Sequence, residues 1–229
     1  MCVQSQECRD GVVTTSVRHW KAEEWPLGIG EDLEFTLVYE GPLLAHHEVR
    51  EKAHHKHSIR KYFHPQLRTL WRQKLDHWLI GTQVSKTKRL WNAGPPIVEQ
   101  IAANFSTGPF NFVPLVTEQL VIACKLDILF LHHEVGLGRI IQGGDIDNRL
   151  KTLFDALRFP KKMDEIGGWP VSEDEIPFFC LLEDDGLITE VNVRADTLLT
   201  QPSAIGDVKL IIRVTLRPIQ MFDFNSDFA

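Results

Sequence analysis

Residues 145–159 read DIDNRLKTLFDALRF. Leu150, Leu153, Phe154 and Leu157 recur at i, i+3, i+4 and i+7, the stripe of an amphipathic helix expected over about 147–158. Asp147 stands near its start and can cap it. Asp145 and Asp147 fall on the turn that opens the helix, where an i, i+2 spacing can aim both carboxylates one way. Lys151 follows Asp147 by one helical turn and Asp155 follows Lys151 by another, so the three share a face. Taken singly these are ordinary features: a capping acid, a surface ion pair, a solvated stripe.

The flanking segments favour strands. Upstream, residues 118–131 (EQLVIACKLDILFL) contain a strand, followed by a glycine-rich loop from Gly136 to Gly144. Downstream, residues 160–177 carry three prolines and Gly167-Gly168 and read as an exposed insertion. Then FFCLL (178–182) leads to Asp184-Asp185-Gly186, a tight turn before the alternating LITEVNV (187–193). Near the end, Val208, Leu210, Ile212, Val214 and Leu216 alternate onto one face of a strand, and the tail beyond Pro218 is expected to fray.

In the first half, LEFTLVY (33–39) alternates as a half-buried strand closed by Gly41-Pro42. Residues 43–63, rich in His, Lys and Arg, read as a loop running into a helix at about 66–80, with Leu67, Leu70, Trp71, Leu75, Trp78 and Leu79 at helical spacing. A short helix is expected over about 97–104, and Pro109 and Pro114 punctuate the stretch after it. Together these segments predict an α+β fold, a small mixed sheet with helices packed on it. An N-terminal arm (1–30) precedes the main domain (31–218), which carries insertions at about 81–120 and 160–177, and a tail (219–229) ends the chain.

Charge is unevenly spread. The chain is -6 overall, which argues against a generic nucleic-acid coat, but residues 46–90 hold 11 Lys/Arg against 3 Asp/Glu. That local patch is what a phosphate backbone would meet. Arg50, Lys52, Lys56, Arg60 and Lys61 are the candidate phosphate contacts. Residues 46–64 within it hold six of the ten histidines (His46, His47, His54, His55, His57, His64), which would add charge as pH falls toward their ordinary value. Trp71, Trp78 and Trp91 could stack on unpaired bases, although helical spacing places Trp71 and Trp78 in the core. Cys2, Cys8, Cys124 and Cys180 form no C-x-x-C pair, which disfavours structural zinc. Their scatter suits a reduced, cytoplasmic protein. No apolar stretch is long enough to span a membrane, and the opening residues lack the apolar run of a secretory signal.

If the helix packs on the sheet, Asp185 can join Asp145 and Asp147. Clustered carboxylates repel one another and need a cation. Mg²⁺ accepts such oxygen ligands, and a pair of ions about 4 Å apart can activate water against a phosphodiester. A lysine beside metal-bound phosphate neutralises charge developing in the transition state.

The order strand, glycine loop, D-x-D-N-x-x-K helix, Asp-Asp turn, strand resembles the RusA family of Holliday-junction resolvases. The matching residues are Asp145-Ile146-Asp147-Asn148-Arg149-Leu150-Lys151, then Asp155-Ala156-Leu157, then Asp184-Asp185-Gly186-Leu187-Ile188. Tyr39-Glu40-Gly41-Pro42-Leu43 resembles the family's first strand and the loop after it. The resemblance implies a homodimeric endonuclease cutting branched or structured DNA with Mg²⁺, or Mn²⁺ in its place, by two-metal hydrolysis. It implies Asp145, Asp147 and Asp185 as metal ligands and Lys151 as the catalytic lysine. Asp184 is auxiliary in that scheme, and Asp155 is structural, orienting Lys151. The chain departs from the family in being longer and acidic. Its alternative is a non-catalytic RusA-fold adaptor for nucleic acid or protein, for example in a phage or phage-defence system. Structured nucleic acid of another kind, such as flaps or RNA, is a further candidate substrate.

Overall fold

The computed structural model describes residues 33–44, 49–76, 95–133, 145–200, 206–220 and 225, with the backbone pairing of two further strands near the N-terminus. Those two, β1 (Cys2–Arg9) and β2 (Val12–His19), pair antiparallel as a separate two-stranded sheet. The expected arm thus contains a hairpin that the sequence reading did not assign.

The main sheet has four strands: β3 (Glu34–Pro42), β6 (Ile122–His132), β8 (Ile188–Thr197) and β9 (Asp207–Pro218), in the order β3-β9-β6-β8. β9 runs antiparallel to both β3 and β6, while β8 runs parallel to β6. The period-2 pattern in the sequence becomes alternating burial. Leu126, Ile128 and Phe130 of β6 and Val208, Leu210, Ile212 and Val214 of β9 face the core.

A second sheet joins β4 (Ser106–Thr107), β5 (Phe110–Val116) and β7 (Phe178–Leu182), with β5 and β7 parallel. Residues 178–182 are all buried, as befits a short apolar run with both faces covered. β5 corrects the sequence reading. Pro109 and Pro114 looked like loop punctuation, yet Pro114 lies inside the strand, paired in register with Cys180. The 81–120 segment is therefore partly core, since α2 (Ile97–Asn104) buries Val98 and Ile101 and β5 buries Phe112, Val113 and Leu115.

The long helix α1 (Val49–Lys74) is the largest departure from expectation. It begins far upstream of residue 66 and continues through Pro65, which is exposed. Proline usually marks a helix boundary because it removes a donor and crowds the preceding turn. Here the buried face carries His57, Arg60, Phe63, His64, Leu67 and Trp71, a helical period in which three members are polar. Those polar members hid the stripe. Trp71 is fully buried, in line with its core reading.

The third helix, α3 (Asp145–Leu157), packs against α1. Residues 160–177 are not simply an exposed insertion. They form two 3₁₀ turns, Met163–Ile166 and Glu173–Glu175, that bury Ile166 and Glu175. Gly167 takes a φ of 68°, and a Cβ there would sit 2.4 Å from the backbone nitrogen of His54, so this turn packs directly on α1. Within the tail, Asn225 is buried and its amide donates to the carbonyls of Leu120 and Gln220. Cys124 and Cys180 are free and buried, and burial raises both thiols above their ordinary range. No helix among the described residues is long and apolar enough to cross a membrane.

Candidate functional site

The motif helix α3 opens at Asp145, two residues earlier than its apolar stripe suggested. This changes the geometry of the acidic pair. Positions i and i+2 of a helix do not share a face, so the alignment expected of an extended turn does not apply in that form. The side chain of Asp145 lies outside the described residues. Asp147 is exposed in the first turn, where a carboxylate is favoured by the helix dipole. Lys151, one turn on, is exposed too. Neither makes a hydrogen bond or ion pair to a described residue, although i, i+4 spacing would let them meet. An acid and a base on one face, both open to solvent, are available to a charged ligand.

Asp155 does not orient Lys151. Its carboxylate pairs with Lys56 of α1 and lies 3.6 Å from Arg158 Nε. The second motif element, the 3₁₀ turn Asp185–Leu187 between β7 and β8, contacts α3. Its neighbours, however, tie it toward the C-terminal side of that helix. The Phe159 N–H donates to the Leu182 carbonyl, and Lys161 Nζ lies 2.5 Å from Asp184 Oδ2. Asp147 stands ten residues before Leu157, about 15 Å along the helix axis. Lys161, then the Gly186 N–H, hold the Asp184 carboxyl below its usual range. The Asp184 side chain caps the turn through Gly186, and Asp185 is exposed. Among the described residues no three His, Cys, Asp or Glu side chains are grouped as a metal centre.

The five candidate phosphate contacts divide. Arg50 and Lys52 lie at the start of α1, the Arg50 side chain outside the described residues and Lys52 half-buried. The other three are already engaged by protein. Lys56 holds Asp155. Lys61 Nζ lies 2.7 Å from the buried carboxylate of Glu175 and 4.7 Å from the centre of the Trp169 ring. Arg60 is buried and donates to the carbonyls of Arg158 and Asp155 and to His57 Nδ1. Arg60 is therefore a packing residue and not a phosphate contact, because its donors are spent on the end of α3. Lys86, Lys88 and Arg89, Trp78 and Trp91, His46 and His47, and the loop from Gly136 to Gly144 fall outside the described residues.

Comparisons with family models, with curated proteins and with solved structures each return nothing similar to this chain.

What the sequence did not reveal is the polar seam under α1. The His57 ring lies against Phe110 and Phe178, and His64 accepts the Phe179 N–H at Nδ1 while its Nε2 faces the Asp174 carbonyl 3.0 Å away. Burial pushes the His57 imidazole down to about 3, and the nearby Arg60 and Lys61 cations act in the same direction. His64 is lowered by burial as well. A histidine held neutral in the fold but free to ionise at about 6.5 when unfolded binds more protons in the unfolded chain. Its contribution to stability is complete above that unfolded value and is lost as pH falls toward the folded one. Urea titrations are expected to find the chain about 2 kcal/mol less stable near pH 5 than near pH 7 from His57 alone. His57→Phe, which keeps a ring between Phe110 and Phe178, should flatten that dependence; an unchanged slope would reject the assignment.

Proposed function

We propose that this chain is a metal-dependent endonuclease of the RusA type, acting on branched or otherwise structured DNA. The observation that carries the reading is the D-x-D-N-x-x-K motif at the start of α3, with Asp147 and Lys151 exposed on one face and engaged by no described residue. A hard cation suits exposed carboxylate oxygen, because Mg²⁺ needs only one or two carboxylates with water completing its shell. Asp147, with Asp145 two residues before it and water completing the shell, would hold it; Asp185, on the turn tied toward the C-terminal side of α3, is not counted as a ligand in this arrangement. When bound, Mg²⁺ would supply an activated water for in-line attack on a phosphodiester. Lys151 would sit over a non-bridging phosphate oxygen and offset the charge that develops there. Asp184, fixed by Lys161, orients the turn and does not itself bind the ion.

A second reading has its own support. Lys56, Arg60 and Lys61 are committed to protein partners, and Asp184 is tied near the C-terminal side of α3. Both facts suit a non-catalytic module that binds nucleic acid or protein. The deciding experiment uses synthetic four-way junctions, flaps and duplex with Mg²⁺ and with Mn²⁺, beside thermal melting with and without each ion. The nuclease reading expects cleavage of one branched substrate and a melting temperature that rises with added ion, as binding to the native state requires. No cleavage and no shift would leave the binding module.

A further inference from the structure

The strand β3 forms one edge of the four-stranded sheet, and it borders α1 across an open groove of about 490 Å³. That volume lies within the range of about 300–1,000 Å³ of ligand pockets. The residues explain why the groove is there. Odd-numbered residues of β3 turn their side chains to the core, yet only Leu37 is buried there, while Phe35 is half-buried. Opposite them α1 presents Pro65, Thr69 and Gln73, all exposed, beside the buried Leu70. These side chains leave an apolar floor of Leu37 and Leu70 uncovered.

The edge backbone along this groove is set up to bond an amide. The Leu216 N–H donates to the Leu33 carbonyl, so odd-numbered residues turn their backbone groups toward β9 and even-numbered ones turn theirs outward. At Val38 the outward groups are taken by the Gln66 side chain: the Val38 N–H donates to Oε1 at 2.9 Å, and Nε2 donates to the Val38 carbonyl at 2.7 Å. Two bonds exchanged with one residue is the closely spaced pair of an antiparallel ladder, made here by a side-chain amide. Thr36 carries the next such pair, inside the groove, and among the described residues its N–H and carbonyl meet no partner. Proteins usually blunt an edge with proline or lysine, but β3 has no lysine and its one proline, Pro42, is at the far end.

We propose that this groove binds an extended, uncharged peptide segment of another protein, which adds to β3 as a short antiparallel strand beside α1. The complementarity is of dipoles and not of ions. None of the lining residues carries a formal charge, which disfavours a phosphate backbone, while Thr36 offers one N–H and one carbonyl to a peptide's carbonyl and N–H. The peptide residue opposite Thr36 shares its face of the sheet, and the two residues flanking it set apolar side chains on Leu37 and Leu70. Gln66 ends the pairing on the Val38 side. None of these residues belongs to the proposed metal site, so binding here and cleavage there stand or fall separately.

NMR titration of the isotope-labelled full chain with blocked pentapeptides tests it. Each peptide has threonine at its first, central and last positions and valine, leucine or phenylalanine at the second and fourth. At least one is expected to bind with a Kd of about 1 mM or tighter and to shift the Thr36 amide signal. Methylating the central peptide nitrogen removes the donor to the Thr36 carbonyl and should weaken binding about tenfold or more. Thr36→Pro removes the edge N–H without touching the ladder to β9, a place where proline is tolerated. Thr69→Arg, at an exposed helix position, lays a long side chain across the groove. Each should weaken binding about tenfold or more, and circular dichroism checks that each variant is folded; if Thr36→Pro is not, Thr69→Arg decides. The proposal is overturned if no pentapeptide binds by about 1 mM or if Thr69→Arg binds as wild type does. Equal binding of the methylated peptide would also overturn it, since the groove would then take an apolar ligand and not a strand.

Discussion

Asp147→Asn is expected to lower Mg²⁺-dependent cleavage of a four-way junction by more than about 100-fold. Junction binding should stay within a few-fold of wild type or tighten, because the change removes a negative charge from a surface that must approach phosphate. The side chain is exposed and makes no described contact, so the substitution leaves α3 intact. Loss of activity would then report chemistry and not folding. The companion change Lys151→Met should lower kcat more than it raises KM, as removal of a contact made mainly in the transition state does. Single-turnover cleavage and gel-shift titration on the same junction separate these outcomes. Wild-type cleavage by the Asp147→Asn protein would remove Asp147 from the site.

The parts of this fold that were legible in the sequence are those where polarity and burial agree. Alternation in β3 and β9 and the apolar stripe of α3 are direct consequences of one wet and one dry face, and Ile97–Asn104 is a helix over the expected residues. The N-terminal half of α1 was hidden because its dry face uses His57, Arg60 and His64, residue types that usually mark a wet one. Arg60 and His64 are satisfied by partners about a hundred residues away: Asp155 and Arg158 for Arg60, and Asp174 and Phe179 for His64. No local window contains that information. β5 was hidden for the converse reason, since Pro114 breaks a strand pattern in sequence while the parallel pairing with β7 tolerates it. The candidate site divides in the same way. The spacing of Asp147 and Lys151 is local and could be read directly. The placement of Asp184 by Lys161 and of Asp155 by Lys56 is tertiary and could not.

Replacing Arg60 should therefore damage the fold and not nucleic-acid affinity. The last carbonyls of a helix lack intrahelical donors, and the C-terminal end carries partial negative charge. α3 meets both needs with a side chain from α1: Arg60 Nε donates to the Arg158 carbonyl at 2.9 Å and Nη2 to the Asp155 carbonyl at 2.9 Å. Burial brings the guanidinium down to about 10, so it keeps its charge at neutral pH. Arg60→Met preserves the length and much of the packing but removes every donor. It leaves two buried-side carbonyls and His57 Nδ1 without this partner, each costing about 1–3 kcal/mol when unsatisfied. The expected loss is about 3–5 kcal/mol, a large share of a typical domain's stability. Lysine cannot substitute, because a single ammonium lacks the planar fork that spans both carbonyls. Guanidinium denaturation should show a lower midpoint for both variants. If Arg60→Met instead melted like wild type and bound junctions more weakly, Arg60 would belong to the DNA surface after all, and α3 would have to end on another cap.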